Sequence, residues 1–462
     1  MKIYDTLTNQ NVVSSTSTVS IYVCGVTVYD DSHVGHMRTI IVFDVLRRYL
    51  ESMDITVTLV QNFTDVDDKI IQRAIDESTT PKQIAKKYIN EFLSCSDKLN
   101  IKRASQYPVA TEHISEIQDM ISQLMEKEIA YSTETGVYYN VGKFLNYGKL
   151  SGKHIDELEA GARIGIDSSK NNPLDFALWK FSNTEPNWSS PWGCGRPGWH
   201  IECSAMSLKY LGNNFDIHGG GRDLIFPHHE NEIAQSESCT DKPTAKCWMH
   251  VGMVTLDGEK MSKSLGNTKT ARQVIHDWGS NVTRLFCLSG HYAKPIDYTP
   301  KMLLECTTKW RQIESAYHEC LQTELSISET LNDTVSQIKQ AFDSAINDNL
   351  NTHLALSALF QLGDVVNNAA ASSTLSKNDA KNAITLFHYI LNILGLKLIS
   401  VTSTERQEIQ KLMDMRIIYR KEKKFAEADS VRDKITSMNV DFLDYNSGTI
   451  WIKRESIFSE KA

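Results

Sequence analysis

The chain has 462 residues, 41% of them hydrophobic and 23% charged, and a net charge of −8. That is a globular composition with room for about three domains of roughly 150 residues, and the mild acidity decides nothing about nucleic acid, because a local basic face can sit on an acidic chain. No apolar run approaches the ~18 residues of a membrane-spanning helix and the opening "MKIYDTLTNQ" has no secretory apolar stretch, which makes a cytoplasmic location the expectation.

Taken in chain order, residues 1–80 read as a strand–helix–strand unit. "VSIYVC" (19–24) is a β-rich run, "HMRTIIVFDVLRRYLE" repeats apolar residues near helical spacing, and "ITVTLVQN" (55–62) is rich in β-branched residues. That order predicts a parallel sheet. It puts "HVGH" (33–36) beyond a strand and at the opening of a helix, where α/β folds bind ligands and phosphate is favoured. Thr80 and Pro81 mark the cap and first position of another helix. "IAYSTETGVYYNV" (129–141) reads as a hairpin, 142–190 as an insertion with loops, and 191–250 as a further α/β segment. Residues 303–397 repeat apolar side chains every three or four positions, as in a helical bundle. A helical hairpin and short strands around "VDFLDYNSGTIWI" close the chain.

Nine cysteines at irregular spacing, with no CxxC, predict reduced thiols rather than a disulfide framework. A metal site must therefore draw on distant segments. "GWHIECSAMSL" supplies Cys203, and "DIHGGGRDLIFPHHENE" supplies His228 and Glu232, four apart and so on one face if a helix begins after Pro227. With Cys24 they make a chemically complete tetrahedral set for zinc. The plainer alternative is two core cysteines beside a solvated helix start. The three glycines after His218 suit either a phosphate cradle or a close backbone crossing. "GEKMSKSLGN" (258–267) is either a positive loop for a polyphosphate or a solvated lysine-rich turn.

"HVGH" together with the distant "KMSKS" resembles the signature pair of class I aminoacyl-tRNA synthetases. "YVCGVTVYDDSHVGHMRT", "NFTDVDDKII", "GWHIECSAM", "HGGGRDLIFPHHENEIAQSE" and "KMSKSLGN" stand in the order of the cysteinyl-tRNA synthetase family, and "FDSAINDNLNT" and "KKFAEADSVRD" are similar to its anticodon-side regions. The chain departs from that family's usual pattern at Val26 (proline), at Val34 (isoleucine) and in "DNLNT".

The resemblance implies an α/β fold: a Rossmann-type parallel-sheet catalytic domain with an insertion, then an α-helical anticodon-binding bundle and a small mixed C-terminal domain. The implied layout is 1–115 and 191–250 for the catalytic halves, 116–190 for the insertion, 251–314 for the KMSKS and stem-contact region, 315–400 for the bundle and 401–462 for the C-terminal domain. It implies a monomer that ligates L-cysteine to tRNA(Cys) through a cysteinyl-adenylate, using ATP with Mg2+ and one Zn2+ per chain. His33, Gly35, His36, Lys260 and Lys263 would bind ATP, the histidines and lysines acting in catalysis. Trp199, His200 and His218 would line the substrate pocket. Cys24, Cys203, His228 and Glu232 would hold zinc, with the substrate sulfur as an added or displacing ligand. Lys421, Lys423, Lys424 and Arg432 are either phosphate contacts or an ordinary solvated face. Two rival readings remain: a ligase joining cysteine to an aminosugar in mycothiol biosynthesis, and a non-catalytic tRNA- or zinc-binding relative. The roughly 150 residues after the catalytic part, on the scale of a domain, argue against the first; the intact signatures argue against the second.

Overall fold

Chain order and β-branched content lead directly to a parallel sheet. The structure, a computed structural model, describes residues 1–13, 17–153, 169–261, 266, 268–326, 331–399, 401–445 and 448–454. It comprises two compact units: Met1–Arg272 with Gly290–Asp297 and Asn347–Leu350, and Gln273–Ser289 with Tyr298–Ile346 and Asn351–Ala462.

The first unit opens with a hairpin of β1 (Lys2–Asp5) and β2 (Gln10–Val13). β3 (Thr18–Val23) enters the core, α1 (Val34–Ser52) follows, and β4 (Thr56–Gln61) pairs parallel with β3. Next come α2 (Asp68–Asp76), α3 (Pro81–Lys98) and α4 (Ile114–Glu126). As expected, Thr80 caps α3 in a capping box with Gln83, and Pro81 takes its first position. The hairpin β5 (Ala130–Ser132)–β6 (Gly136–Tyr139) grows into an antiparallel sheet with β7 (Phe176–Phe181) and β8 (Gly195–Pro197). The expected boundary at 190/191 therefore falls between two paired strands. Helix α5 (Trp199–Leu211), strand β9 (Phe215–Gly221), helix α6 (Glu230–Thr240) and strand β10 (Ala245–Val251) complete the main sheet, whose order is β10-β9-β3-β4, all parallel. Beyond it, β11 (Val254–Leu256) turns at Asp257–Gly258, both at positive φ, into β12 (Glu259–Lys260), and β13 (Ile296–Asp297) pairs parallel with β11.

Helix α1 is buried on nearly every side. Its buried residues include Val34, Met37, Ile41, Phe43, Val45 and Leu46, and also Arg38, Asp44 and Arg48. A helix buried all round must pair its charges internally: Arg48 Nε meets Asp44 Oδ2 at 2.9 Å and Nη2 donates to Asn100 O at 2.6 Å. The helix packs on β9 through a missing side chain. A Cβ on Gly219 would stand 2.0 Å from Phe43 Cζ. Gly219 of the glycine triplet is thus a close crossing, whereas Gly221 lines the cleft described below.

The second unit is helical, as the periodicity predicts. It holds nearly all of α7 (Ala271–Trp278), then α8 (Ser280–Leu288), α9 (Pro300–Gln322), α10 (Asn332–Asn347), α11 (Thr352–Ala371) and α12 (Lys377–Leu394). Its core includes Leu303, Trp310, Ile313, Phe342, Leu359, Phe387 and Ile390. Helix α9 runs unbroken across the expected 314/315 boundary, because Trp310, Ile313 and Ala316 form one continuous buried face. Helices α13 (Ser403–Lys421) and α14 (Phe425–Ser437) and the hairpin β14 (Val440–Tyr445)–β15 (Gly448–Lys453) end the chain. Lys424 pairs with Glu422 at 2.7 Å, and Arg432 lies 5.8 Å from the Phe442 ring centroid. Among the described residues no helix is long and apolar enough to cross a membrane.

Replacing Gly219 by alanine is expected to lower the unfolding free energy by about 1–3 kcal/mol, the usual cost of overpacking, read from chemical denaturation. An unchanged midpoint and slope would mean that Phe43 does not pack where the structure puts it.

Candidate metal centre and active-site cleft

Three strands deliver one row of rings. Tyr22 of β3, His218 of β9 and Trp248 of β10 are direct cross-strand neighbours. Their ring centroids lie 5.3 Å (Tyr22–His218) and 4.2 Å (His218–Trp248) apart. Cys24 follows the last residue of β3, and its N–H donates to Gly219 O at 3.0 Å. The Gly25 N–H then donates to Asn62 Oδ1 at 2.9 Å, and a Cβ there would lie 1.6 Å from Asn62 O. Only glycine lets the chain pass here, so Gly25 fixes the exit of β3 and with it Cys24.

Two helix starts bring the remaining groups. Cys203 lies in the second turn of α5. After β9 the chain makes a turn over Ile225–His229 and enters α6 at Glu230. His228 and Glu232 are then one turn apart, and His228 Nε2 meets Glu232 Oε1 at 3.1 Å. Cys24, Cys203, His228 and Glu232 are all buried, with ligand atoms within 4.8 Å of one another. A second set of four meets the same limit: Cys24 and Glu232 again, now with His218 and His229. His218 Nε2 is 3.5 Å from Cys24 Sγ and 3.3 Å from Glu232 Oε2, and His229 Nε2 is 3.9 Å from Glu232 Oε1.

Electrostatics makes this cluster ready for a cation. Burial pushes the Glu232 carboxyl well above its ordinary range, and Glu232 Oε2 has no hydrogen-bond partner. Burial, aided by neighbouring histidines, holds His200, His218 and His229 well below theirs, so these imidazoles are neutral and offer lone pairs. The two thiols part company. The hydrogen bond from Cys24 lowers Cys203 to about 7 against the opposing effect of burial, while burial raises Cys24. Two thiols, an imidazole and a carboxyl group form a donor set that suits a borderline-soft divalent ion, which would take the place of their protons.

Outer contacts hold the imidazoles. His200 Nδ1 is 2.9 Å from His228 Nδ1, and the Trp199 ring stacks on His228 at 4.2 Å. His229 Nδ1 is 2.8 Å from His250 Nε2, whose Nδ1 lies 2.9 Å from Thr6 Oγ1. His229, His250 and Thr6 escaped the sequence reading. The histidine doublet was a signal for the first. Nothing signals the contact between His250 and Thr6, which stand 244 residues apart.

A cleft of about 370 Å³ is lined by Cys24 and Trp199 and also by His33, Gly35 and His36. His33 is the N-cap of α1: its Nδ1 accepts from the His36 N–H at 3.3 Å, and the two rings stack at 3.6 Å. The cleft thus has the positive end of a 19-residue helix in its wall. Of the three expected pocket residues, only Trp199 lines this cleft; His200 stands behind His228, and His218 is fully buried beside Cys24. Lys260 is placed by its backbone in β12, but its side chain, and all of Lys263, lie outside the described residues.

Comparison with known proteins agrees with this geometry. A family described as "tRNA synthetases class I (C) catalytic domain" matches residues 10–308, and a DALR domain matches residues 341–398. The chain is 43% identical to a cysteine–tRNA ligase of Carboxydothermus hydrogenoformans, covering 98% of this chain and 99% of that one. It is 42% identical to a cysteine–tRNA ligase of Thermococcus onnurineus, over 99% and 100%. Among solved structures, the methionyl-tRNA synthetase of Mycobacterium tuberculosis with methionyl-adenylate shares the fold at TM-score 0.59 and 13% identity, over 82% and 90% of the two chains.

The two overlapping sets of four are separable by elemental analysis of desalted protein. His228→Ala is expected to lose the ion that His218→Ala keeps; the reverse would give the ion to the other set. His200→Ala is expected to weaken binding by about 10–100-fold, the usual effect of removing an outer-shell partner.

Proposed function

The chain belongs to the cysteine–tRNA ligase family of class I aminoacyl-tRNA synthetases, and from that premise we propose how its residues divide the ATP-dependent ligation of cysteine to tRNA(Cys). The observation that carries the proposal is the buried Cys24–Cys203–His228–Glu232 cluster, whose Cys24 lines one cleft with His33 and His36.

In the first step a carboxylate oxygen of cysteine attacks the α-phosphorus of ATP, the bond to the bridging oxygen breaks, and pyrophosphate leaves with the electron pair. The step needs positioning and charge stabilisation more than a protein nucleophile. His33 and His36, at the positive end of α1, hold the phosphates, and Gly35 keeps that surface free of a side chain. Lys260 and Lys263 neutralise the departing pyrophosphate, and Mg2+ accompanies the nucleotide. In the second step a ribose hydroxyl at the tRNA 3′ end attacks the acyl carbon, and AMP leaves.

Selection of cysteine falls to the buried cluster. An apolar pocket separates substrates that differ by one small group by only about 1–3 kcal/mol. Cys24, Cys203, His228 and Glu232 fit zinc, which when bound supplies a soft Lewis acid for the substrate sulfur that hydroxyl and methyl groups satisfy poorly. Trp199, stacked on His228 and partly open to the cleft, closes the pocket over the substrate side chain. His200 and His218 act from behind as positioning residues, holding His228 and facing Cys24.

The helical second unit is proposed to bind the tRNA distal to the acceptor end. In support, it holds the match to the DALR domain, and the relatives named above align with this chain almost end to end. That extent favours tRNA over an aminosugar as the acceptor.

The test is pyrophosphate exchange into ATP without tRNA, with cysteine and serine compared. Exchange is expected with cysteine and not with serine, and Lys263→Ala is expected to slow it by about 10²–10³-fold, the effect of removing one charge-stabilising group. Equal exchange with serine would remove the metal from the selectivity argument. No exchange by folded, metal-loaded protein would favour a binding protein that has kept the shape without the chemistry.

A further inference from the structure

The helix that carries His33 and His36 also anchors both ends of the segment that follows β10. Arg38, one turn into α1, has no exposed surface and gives its guanidinium to backbone carbonyls. Nη1 donates to Gly252 O at 2.6 Å and to Met253 O at 3.1 Å. Nη2 donates to Lys294 O at 2.8 Å and to His291 O at 3.3 Å. Gly252 and Met253 are the two residues between β10 and β11, and Lys294 stands just before β13, the parallel neighbour of β11. One side chain therefore ties α1 to the root of the β11–β12 hairpin and to the strand beside it.

The other end of the segment returns to the start of the same helix. The Val34 N–H donates to Lys269 O at 3.1 Å, the Ala271 N–H donates to Ser32 O at 2.7 Å, and His33 forms an antiparallel bridge with Thr270. The chain leaves α1 at Arg38 and rejoins it at Ser32–Val34. Between these anchors, Val254, Met261 and Thr268 line the cleft together with His33 and His36. The fork of a guanidinium suits this task, because its planar, spread donors reach carbonyls of two segments at once; an ammonium concentrates its donors at one point.

We propose that Arg38 is a positioning residue for adenylate formation: it sets where the β11–β12 hairpin springs from relative to His33 and His36, and it touches no reactant. The inference rests on the ligase reading above. It bears on the phosphate end of the cleft, since these four bonds go to the segments beside β11 and β13, whereas the cysteine end is built from β3, α5 and α6.

The experiment is steady-state pyrophosphate exchange by the full-length, metal-loaded protein and its Arg38→Lys variant. The kcat is expected to fall by between about 10- and 100-fold, the range that a displacement on the order of 1 Å produces. The KM for cysteine and the metal content are expected to stay as in the parent chain. Ala271→Pro supplies an independent arm. It removes the N–H that bonds Ser32 O at a first helical position, where proline is tolerated, and it should lower kcat in the same sense with KM for cysteine unmoved. A purely structural Arg38 would lower the melting temperature and leave kcat intact well below it. That result in folded Arg38→Lys, or in Ala271→Pro should the lysine variant not fold, overturns the proposal. An equal rise in KM for cysteine, or loss of metal, overturns it as well. Absence of exchange in the parent chain removes the ligase reading and this inference with it.

Discussion

A carboxylate with no exposed surface, set among two thiols and three imidazoles, is the constraint around which the first unit is arranged. Glu232 is that carboxylate, and leaving such a group ionised and unpaired in the interior is too costly to persist. Secondary structure here stops where the cluster needs it to stop. β3 ends one residue before Cys24, and the turn before α6 sets His228 facing Glu232. Helix α6 is buried although polar, and several of its side chains are matched elsewhere. Glu230 accepts from the Leu150 and Ser151 N–H groups, Asn231 accepts from the Tyr147 hydroxyl, and Gln235 accepts from Ser204. The insertion and α5 thus satisfy part of the helix that carries Glu232, while Glu232 Oε2, Gln235 Nε2 and Ser236 Oγ stay buried without a hydrogen bond.

Helix α1 plays the corresponding part on the other face of the sheet. Phe43 lies over Gly219, far along the chain, and this contact holds α1 against the same strand that carries His218. The helix N-terminus then faces the cleft lined by Cys24. A single sheet therefore joins the helix that carries His33 and His36 to the buried Cys24–Glu232 cluster. Arg38 continues the same logic outward, from α1 to the segment beyond β10.

This arrangement separates recognition from reaction. In the proposed division of labour, selectivity for sulfur rests on donor chemistry fixed by β3, α5 and α6. Charge stabilisation, in the same proposal, rests on the first turn of α1 and on segments tied to it. An enzyme built in this way can refuse a hydroxyl in place of a thiol without a second site, because the refusal comes from the softness of the ligand rather than from pocket size.

Much of this was legible in the sequence. "VSIYVC" and "ITVTLVQN" announce parallel strands because β-branched runs between helices leave few other solutions, and Thr80–Pro81 announces a helix start because cap and φ preferences are local. The four donors were readable as a set from their chemistry, and the i,i+4 spacing of His228 and Glu232 already places them on one face. Only the tertiary structure could decide the rest, since each point depends on contacts between residues far apart in the chain. It shows a second set of four sharing Cys24 and Glu232, moves His218 from the cleft to the back of the cluster, and makes Gly219 a packing residue under Phe43. It also finds the His229–His250–Thr6 chain and the four carbonyls around Arg38. Local propensity and motif chemistry are written in neighbouring residues; which buried groups meet is set by how sheet and helices close on one another.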